Sequence, residues 1–387
     1  MPGAGRYTVG KQARNSIDEE ESVLDSQGHE NNMIQYIARR LLILPLILFL
    51  VTLILFFLVL QIPVEDRVQV YLPSVNPHLT PEQFEELMQA TAERYGLDQP
   101  LTTQYVSWLR NLLSGQWGYS PSWREPVLDG LRRRAPATLE LTLFAMIPSV
   151  ILAIVLGSVA ARWWRRLPDH LIRVATFVGW AFPPFILALI LMNVFYAWLG
   201  WFPPERMSIW ASPIVNSEGF HNYTGMLTVD ALLNANLDIF WDAIRHLALP
   251  ALSMAVIQWA LLARIMRSSL AEVLGQDYIT TARAKGVRES RVMSHHARRN
   301  AVLPVISAGG VVTSLLISWL VVIEMIFNYN GVGRWAMRAI LQADIPVAVG
   351  FALFSCSVVV LTSLLTDILY ALVDPRVRLF GSGKGAS

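Results

Sequence analysis

The segment DYITTARAKGVRESRVMSHHARRNAVLP, residues 277–304, is basic and polar and lies between two long apolar segments. Asp277 opens it with a side chain favoured at a helix N-cap, where the carboxylate accepts backbone N–H groups of the next turn. Gly286 is the residue type that takes the left-handed conformation after a helix without a steric penalty. The segment therefore predicts a short helix over residues 278–285, about 12 Å long at 1.5 Å per residue.

This predicted helix presents a face suited to contact with another protein. Residues three and four positions apart share a helical face, and the members of that face are Tyr278, Thr281, Ala282 and Lys285. Small residues would let a partner approach the backbone closely, namely Ala282, Ala284 and Gly286. Charged residues hold the segment at the aqueous boundary, namely Arg283, Lys285, Arg288 and Arg291. Two interpretations stay open here: a docking surface for a soluble partner, or a positively charged loop without one.

The composition around this segment is that of a membrane protein. Hydrophobic residues make up 54% of the 387 residues and charged residues only 16%, which excludes an ordinary soluble domain. Apolar runs long enough to cross about 30 Å of hydrocarbon occupy residues 41–62, 141–161, 174–201, 247–263, 302–327 and 347–370. We predict an all-α membrane protein with six transmembrane helices and a large external segment between the first and second.

The basic residues of the short loops indicate the orientation, because Lys and Arg resist translocation more than acids do. They are Arg39, Arg40, Arg162, Arg165, Arg166, Arg173, Arg264, Arg267, Arg376, Arg378 and Lys384. Threading six spans alternately places all of them on one side, so both termini are predicted to be cytoplasmic. The opposite side receives acid-rich loops. The arginines of residues 132–134 are expected in an external loop long enough for their charge to count for little.

The chain divides into five regions on these grounds. Residues 1–32 are polar with too few apolar side chains to fold alone, which predicts a disordered cytoplasmic tail. Residues 33–63 contain the first transmembrane helix and residues 64–136 form the external segment. A five-helix core follows over residues 137–376, including the polar loop at residues 264–301. Residues 377–387 are a second cytoplasmic tail.

Motifs that would mark an enzyme do not emerge from the sequence. His295 and His296 are adjacent, so on a helix they point about 100° apart and cannot share a metal as an i, i+4 pair would. Residues 381–384 resemble a fragment of a phosphate-binding loop, but Arg378 stands where the first glycine is required. Residues 331–333 read as a turn. We expect a non-catalytic chain with no cofactor and no metal, and any ATP hydrolysis in another polypeptide.

Several residues inside the apolar segments are candidates for a pathway or gate. An ionised carboxylate in hydrocarbon is costly, so Glu324 is expected to face a partner or water, either as a gate or packing contact or as a substrate contact. Asp367 is expected to pair with an arginine. Breaks or loosened turns are predicted where prolines and glycines interrupt the spans, at Pro183, Pro184, Gly309 and Gly310, although such residues are common in membrane helices generally.

Four groups of residues form a recognisable pattern. The first contains Leu97, Asp98, Gln99, Pro100, Leu101, Gln104, Tyr105, Trp108, Leu109, Gly115, Gly118 and Ser120. The second contains Thr138, Leu139, Glu140 and Leu141, with Ala135 where a larger apolar residue is usual. The third contains Asp277, Tyr278, Thr281, Ala282, Arg283, Ala284, Lys285, Gly286, His296, Arg299, Asn300 and Pro304. The fourth contains Gly331, Gly333, Arg334, Asp367, Tyr370, Asp374, Pro375 and Arg376.

Over about residues 33–380 this pattern resembles the B-type inner-membrane permease subunits of bacterial ABC importers for dipeptides, oligopeptides and related solutes. The resemblance implies the type I importer permease fold and a coupling segment seated in a cytoplasmic ATP-binding subunit. It also implies a second homologous permease chain as heterodimer partner, an extracytoplasmic solute-binding protein and a location in the bacterial inner membrane. The tail before residue 33 and the long external loop over residues 202–245 depart from the family, so the solute stays open among peptides, metal chelates and oligosaccharides.

Three other functions stay under consideration. An ion-gradient-driven secondary transporter would use Glu324 and Asp367 and would work without an ATPase. A membrane-embedded enzyme would need an active-site constellation that the sequence does not supply. A scaffold without transport would tolerate substitutions in its spans.

Overall fold

The computed structural model of the chain describes residues 42–63, 67–68, 80–94 and 96–373. The predicted tails at residues 1–32 and 377–387, and the family-like residues Asp374, Pro375 and Arg376, lie outside these ranges. The first helices are α1 (Leu42–Leu60), α2 (Pro81–Arg94), α3 (Leu101–Leu113), α4 (Val127–Arg162) and α5 (Leu167–Ala181). Between α3 and α4, strands β1 (Tyr119–Ser120) and β2 (Glu125–Pro126) pair antiparallel.

In the second half of the described chain all regular elements are helices. It contains α6 (Pro184–Leu191, continued by a π-helix over Met192–Trp198), α7 (Ala211–Val215), α8 (Leu227–Leu233) and α9 (Leu237–Leu274). Then follow α10 (Asp277–Ala284), α11 (Glu289–Arg291, continued by a π-helix over Val292–Ala297), α12 (Arg298–Ala301), α13 (Leu303–Ile326), α14 (Val332–Ile340) and α15 (Ile345–Val373).

Five of the described helices are long and apolar enough to cross a membrane, namely α1, α4, α9, α13 and α15. A sixth crossing results if α5 and α6 count as one span, since they pass the same test only together and are bent by 100°. The predicted all-α membrane fold is thereby confirmed, with the short β1–β2 pair as a small addition.

The bend lies at the predicted proline break. Phe182 and Pro183 are extended, with ψ angles of 127° and 143°, because proline disfavours the helical conformation of the residue before it and has no N–H to continue the ladder. The apolar run over residues 174–201 is therefore divided between two helices, and the break predicted at Pro183 and Pro184 is confirmed.

The two longest helices, α4 and α9, form the centre of the bundle. With 36 and 38 residues they measure about 54 and 57 Å, well beyond the hydrocarbon thickness of about 30 Å. They pack closely at Gly157, where a Cβ would lie 2.6 Å from the Cβ of Met266 and 2.8 Å from the carbonyl oxygen of Ala263. Because α4 begins at Val127, residues 132–134 lie on its first turns, and their placement in a loop was wrong.

The bundle has two polar ends, which we name by their features. The loop end carries α10 together with the start of α5 and the end of α9, which Asp169 and Arg267 join. The network end carries the start of α9, the end of α13 and the whole of α14. Apolar clusters fill the interior between them, one built around Leu141, Met254 and Leu320 and another around Leu262 and Met266.

Candidate functional site

The short helix α10 is present at the loop end, shifted by one residue from its prediction. It spans Asp277–Ala284, with Gln276 extended before it and Lys285 after it. Asp277 is the first helical residue and its side chain makes no capping bond, so the predicted N-cap was wrong. Gly286 has φ +75°, which confirms the predicted left-handed stop.

One buried side chain fixes α10 to the bundle. Ile279 has no exposed surface and packs in the cluster that contains Met266 of α9 and Val292 and Ala297 of the following turns. The amide Nδ2 of Asn300 donates a hydrogen bond to the hydroxyl of Tyr278 at 2.9 Å, which brings two predicted site residues together. Ile279 is a single apolar residue in a polar stretch, and a single residue shows no periodicity. The sequence therefore could not predict that Ile279 packs against Met266.

An exposed ion pair closes the turn after α10. Arg283 donates from Nε and Nη2 to the two carboxylate oxygens of Glu289, at 3.1 and 2.8 Å. The hydrogen bond from Arg283 holds the pKa of Glu289 below its usual range. Both side chains are about half exposed, so the pair contributes at most about 1 kcal/mol.

Most of the predicted coupling residues form an open surface. The exposed ones are Asp277, Tyr278, Thr281, Arg283, Ala284, Lys285, Gly286, Asn300 and Pro304, and Ala282 is half-buried against the apolar cluster. A Cβ built on Gly286 meets no atom within 4 Å. Pro304 lies in the first turn of α13. The surface therefore consists of polar and small side chains, and the apolar cluster that contains Ile279 supports it from below.

The network end contains a carboxylate that sequence reasoning recorded only as part of a family-like motif. Glu140 of α4 is 1% exposed. Its Oε1 accepts hydrogen bonds from the backbone N–H and the hydroxyl of Thr228, at 2.7 and 2.6 Å. Its Oε2 accepts from Nη2 of Arg206 at 2.9 Å and from the hydroxyl of Tyr329 at 3.4 Å. Burial, followed by the charge of Glu140, raises the pKa of Tyr329, so this phenol stays protonated and donates.

Glu324 lies beside this cluster and has no exposed surface. Its carboxylate accepts from the hydroxyl of Thr138 at 2.6 Å and from the backbone N–H of Arg334 at 2.9 Å. The hydroxyl of Thr138 in turn accepts from the N–H of Val332 at 2.8 Å. Glu324 therefore joins α13 to α4 and α14, which favours a packing or gating contact over direct contact with substrate.

Gly331 and Gly333 are required by this arrangement for steric reasons. A Cβ on Gly331 would lie 2.1 Å from Oε1 of Glu324, and one on Gly333 would lie 3.1 Å from Oε2 and 2.9 Å from Cα of Val321. Gly331 immediately precedes α14 and Gly333 lies within it. The segment expected to be a simple turn is thus the start of a helix packed on a buried carboxylate.

The remaining candidates for a pathway or gate do not come together. Pro183 and Pro184 line an apolar groove of about 350 Å³ with Gln258 of α9 and Trp319 of α13. Neither Glu324 nor the glycines of α13 line it. Gly310 instead packs against Thr366 of α15, where a Cβ would lie 2.9 Å from the threonine side chain, and Gly309 faces open space. Asp367 is half-buried on α15, and its pairing with an arginine stays a prediction.

A serine, a histidine and an aspartate also meet at the network end. Ser208 donates to Asp242 from its N–H at 2.8 Å and from its hydroxyl at 2.6 Å, and its Oγ lies 3.1 Å from Nε2 of His246. In a catalytic triad the carboxylate orients Nδ1 of the histidine, whereas here Nδ1 faces the carbonyl oxygen of Pro204 at 2.8 Å. His246 is 2% exposed. The cluster therefore ties the loop after α6 to α9.

Comparison with known proteins finds matches in both the N-terminal and the C-terminal parts of the sequence. Residues 153–379 match the family described as binding-protein-dependent transport system inner membrane component, and residues 33–142 match the N-terminal part of such membrane components. A di/tripeptide transport system permease protein of Pseudomonas aeruginosa is 37% identical over 349 residues, which cover 89% of this chain and 99% of the relative.

Two further relatives come from other bacteria. A dipeptide transport system permease protein of Alkalihalophilus pseudofirmus is 33% identical over 346 residues, and an oligopeptide transport system permease protein of Bacillus subtilis is 36% identical over 347 residues. Each alignment covers 89% of this chain and 100% of the relative. The similarity therefore extends over nearly the whole of each relative.

Proposed function

Because the chain belongs to the family of binding-protein-dependent transport system inner membrane components, we propose that it is the transmembrane pathway subunit of an ATP-driven importer for peptides. The relatives named for di/tripeptides, dipeptides and oligopeptides support the peptide class. The family of inner membrane components and the long apolar helices support a multi-pass protein of the inner membrane. Its role is to form the path of the solute and not to hydrolyse ATP.

The observation that carries this function is the exposure of α10 on a rigid base. A soluble partner can reach its polar face, from Tyr278 to Lys285, without unfolding any part of the bundle. Its buried Ile279 transmits displacement, because tightly packed side chains resist deformation. In this proposal α10 seats in a cleft of a cytoplasmic ATP-binding subunit, and the loop end together with both termini is cytoplasmic.

ATP-driven closure of two ATP-binding subunits would then move α10 together with α9 and α13. Rigid-body movements of packed helices are a common form of such switching. The groove beside Pro183 and Pro184 lies between these two helices and is where we place the pathway, with Gly309 and Gly310 as further points of adjustment on α13. At the network end of the bundle, Glu324 serves as a gate contact in this proposal. A homologous permease chain completes the pathway, and an external solute-binding protein delivers the peptide.

Substitutions on the exposed face of α10 test the proposal. Lys285→Glu and Ala284→Asp change side chains that make no hydrogen bond or ion pair within the described residues, so insertion should be normal. We expect loss of the ATP-binding subunits from the purified complex and loss of labelled dipeptide uptake in whole cells. Arg110→Glu, an equally exposed site on α3, is the control. Normal co-purification and uptake in both α10 variants would refute the proposal.

An ion-gradient-driven transporter is the less favoured alternative. It would rely on Glu324, which is buried and bonded to Thr138 and Arg334. Depleting ATP while maintaining the ion gradient separates the two functions, since only a gradient-driven transporter would continue uptake.

A further inference from the structure

A basic cavity of about 760 Å³ opens at the loop end, separate from the surface of α10. It lies between the turn that follows α4, the helix α5 and the last third of α9. The lining includes Trp164, Arg165, His170, Arg173, Phe177 and Arg264, together with Arg267. Neither the docking surface nor the groove beside Pro183 uses these residues.

The cavity carries more positive charge than its own residues neutralise. Asp169 is fully buried and accepts from Nε and Nη2 of Arg267 at 2.5 and 2.8 Å, so this carboxylate is already paired. Within the part of the chain that the structure describes, Arg165, Arg173 and Arg264 have no carboxylate at ion-pair distance. Three exposed guanidinium groups therefore converge on a space that is wide enough for an anionic group.

Aromatic and apolar surface adjoins these charges. The guanidinium of Arg267 lies 4.1 Å from the ring centroid of Trp164, and that of Arg264 lies 5.9 Å from the ring of Trp180. One face of α5 leads away from the arginines as an exposed apolar stripe of Leu167, Leu171, Val174 and Phe177, each more than 60% exposed. Tryptophan and arginine at the end of an apolar stripe are typical of the membrane–water interface.

We propose that this cavity binds the phosphate headgroup of an anionic phospholipid, whose acyl chains lie along the stripe on α5. Basic pockets between transmembrane helices at the cytoplasmic face suit such headgroups, and Arg recognises phosphate through paired N–H groups. The choice of leaflet rests on the proposed function, which makes the loop end cytoplasmic. A free anion would satisfy the arginines but would leave the stripe without a ligand.

The test measures retention of phosphatidylglycerol by the purified complete transporter in phosphatidylcholine nanodiscs. At about 1 kcal/mol per arginine, the double variant Arg173→Gln, Arg264→Gln should bind phosphatidylglycerol about thirtyfold more weakly. Arg166→Gln is the matched control, since Arg166 is exposed, adjacent in sequence and outside the cavity, and it should bind normally. Arg165→Gln alone should weaken binding about fivefold.

Three outcomes would overturn the proposal. The first is unchanged retention in the double variant. The second is displacement of the lipid by an equal concentration of inorganic phosphate, which would indicate a site for free anions. The third is loss of the second permease chain with lipid retention intact, which would make the cavity a protein interface. Lipid retention requires no ATP-binding subunit, so the α10 variants should keep the lipid, and failure of one proposal can be told from failure of the other.

Discussion

The loop end and the network end use polar side chains in opposite ways. Around α10 the polar side chains remain in water, and the fully buried side chain of Ile279 attaches α10 to the bundle; the buried pair of Asp169 and Arg267 lies elsewhere at the loop end. At the network end Glu140 and Glu324 are withdrawn from water and satisfied by donors from four other segments. Exposed groups can exchange water for a partner at little cost, whereas a buried carboxylate needs every donor in place. The first arrangement suits reversible docking and the second suits a latch between defined states.

The largest expected effect follows from breaking the network at its centre. Glu140→Ala would leave the guanidinium of Arg206, whose side chain is only 19% exposed, without its counter-charge, and removing one partner of a buried pair costs about 3–5 kcal/mol. We expect a large fall in the thermal unfolding temperature of the purified chain. Tyr329→Phe is the control, because its hydroxyl lies 3.4 Å from Glu140 and should contribute much less. Equal effects of the two variants would refute the central role of Glu140.

The next largest effect is expected at the loop end, from the loss of the side chain that attaches α10 to the bundle. Ile279→Ala removes a fully buried side chain, which costs about 2–5 kcal/mol, but the cost should be confined to the attachment of α10. Hydrogen exchange should therefore rise over residues 275–300 while the network end stays protected. Thr281→Ala, exposed on the same helix, should leave exchange unchanged. A uniform rise along the chain would show that α10 is not a separate local unit.

A smaller effect on stability is expected at Gly331, whose backbone lies against the carboxylate of Glu324. Gly331→Ala forces a shift of the carboxylate or of α14, for which overpacking costs of about 1–3 kcal/mol are usual. Gly309→Ala is the matched control on α13, since its Cβ would meet open space and alanine raises helix propensity by about 1 kcal/mol. The thermal unfolding temperature should fall in the first variant and hold or rise in the second. The reverse order would contradict the steric role of Gly331.

The smallest effect concerns the exposed ion pair of Arg283 and Glu289. Arg283→Gln should destabilise the turn after α10 by at most about 1 kcal/mol. Because Arg283 lowers the pKa of Glu289, the contribution is present above the unfolded pKa and is lost as pH falls through the folded one. The protection of amides near Glu289, taken relative to their intrinsic exchange rate at each pH, should therefore fall in acid in the parent chain only. If the Arg283→Gln variant kept the same pH dependence, a titrating group other than the Arg283–Glu289 pair would be responsible for it.

The sequence predicted the fold class, the break at Pro183 and the left-handed stop at Gly286, because each follows from a local property of the chain. It did not predict that Phe182 and Pro183 separate two helices at 100°, since the bend angle depends on packing against α9. Asp277 was assigned the N-cap on its residue type alone, whereas Gln276 takes that position. Glu140 could be read only as part of a motif, because its donors lie 66 to 189 positions away along the chain.

The length of α9 has a geometric consequence for how the two ends communicate. A straight rod of about 57 Å that turns by about 5° about one end carries its other end through about 5 Å, close to the rise of one helical turn. Asp242 and Met266 lie 24 residues apart on this helix, about 36 Å, so the same turn about Met266 carries Asp242 through about 3 Å. A tilt too small to disturb the seat of Ile279 would thus be enough to carry the Ser208 contact out of hydrogen-bonding range.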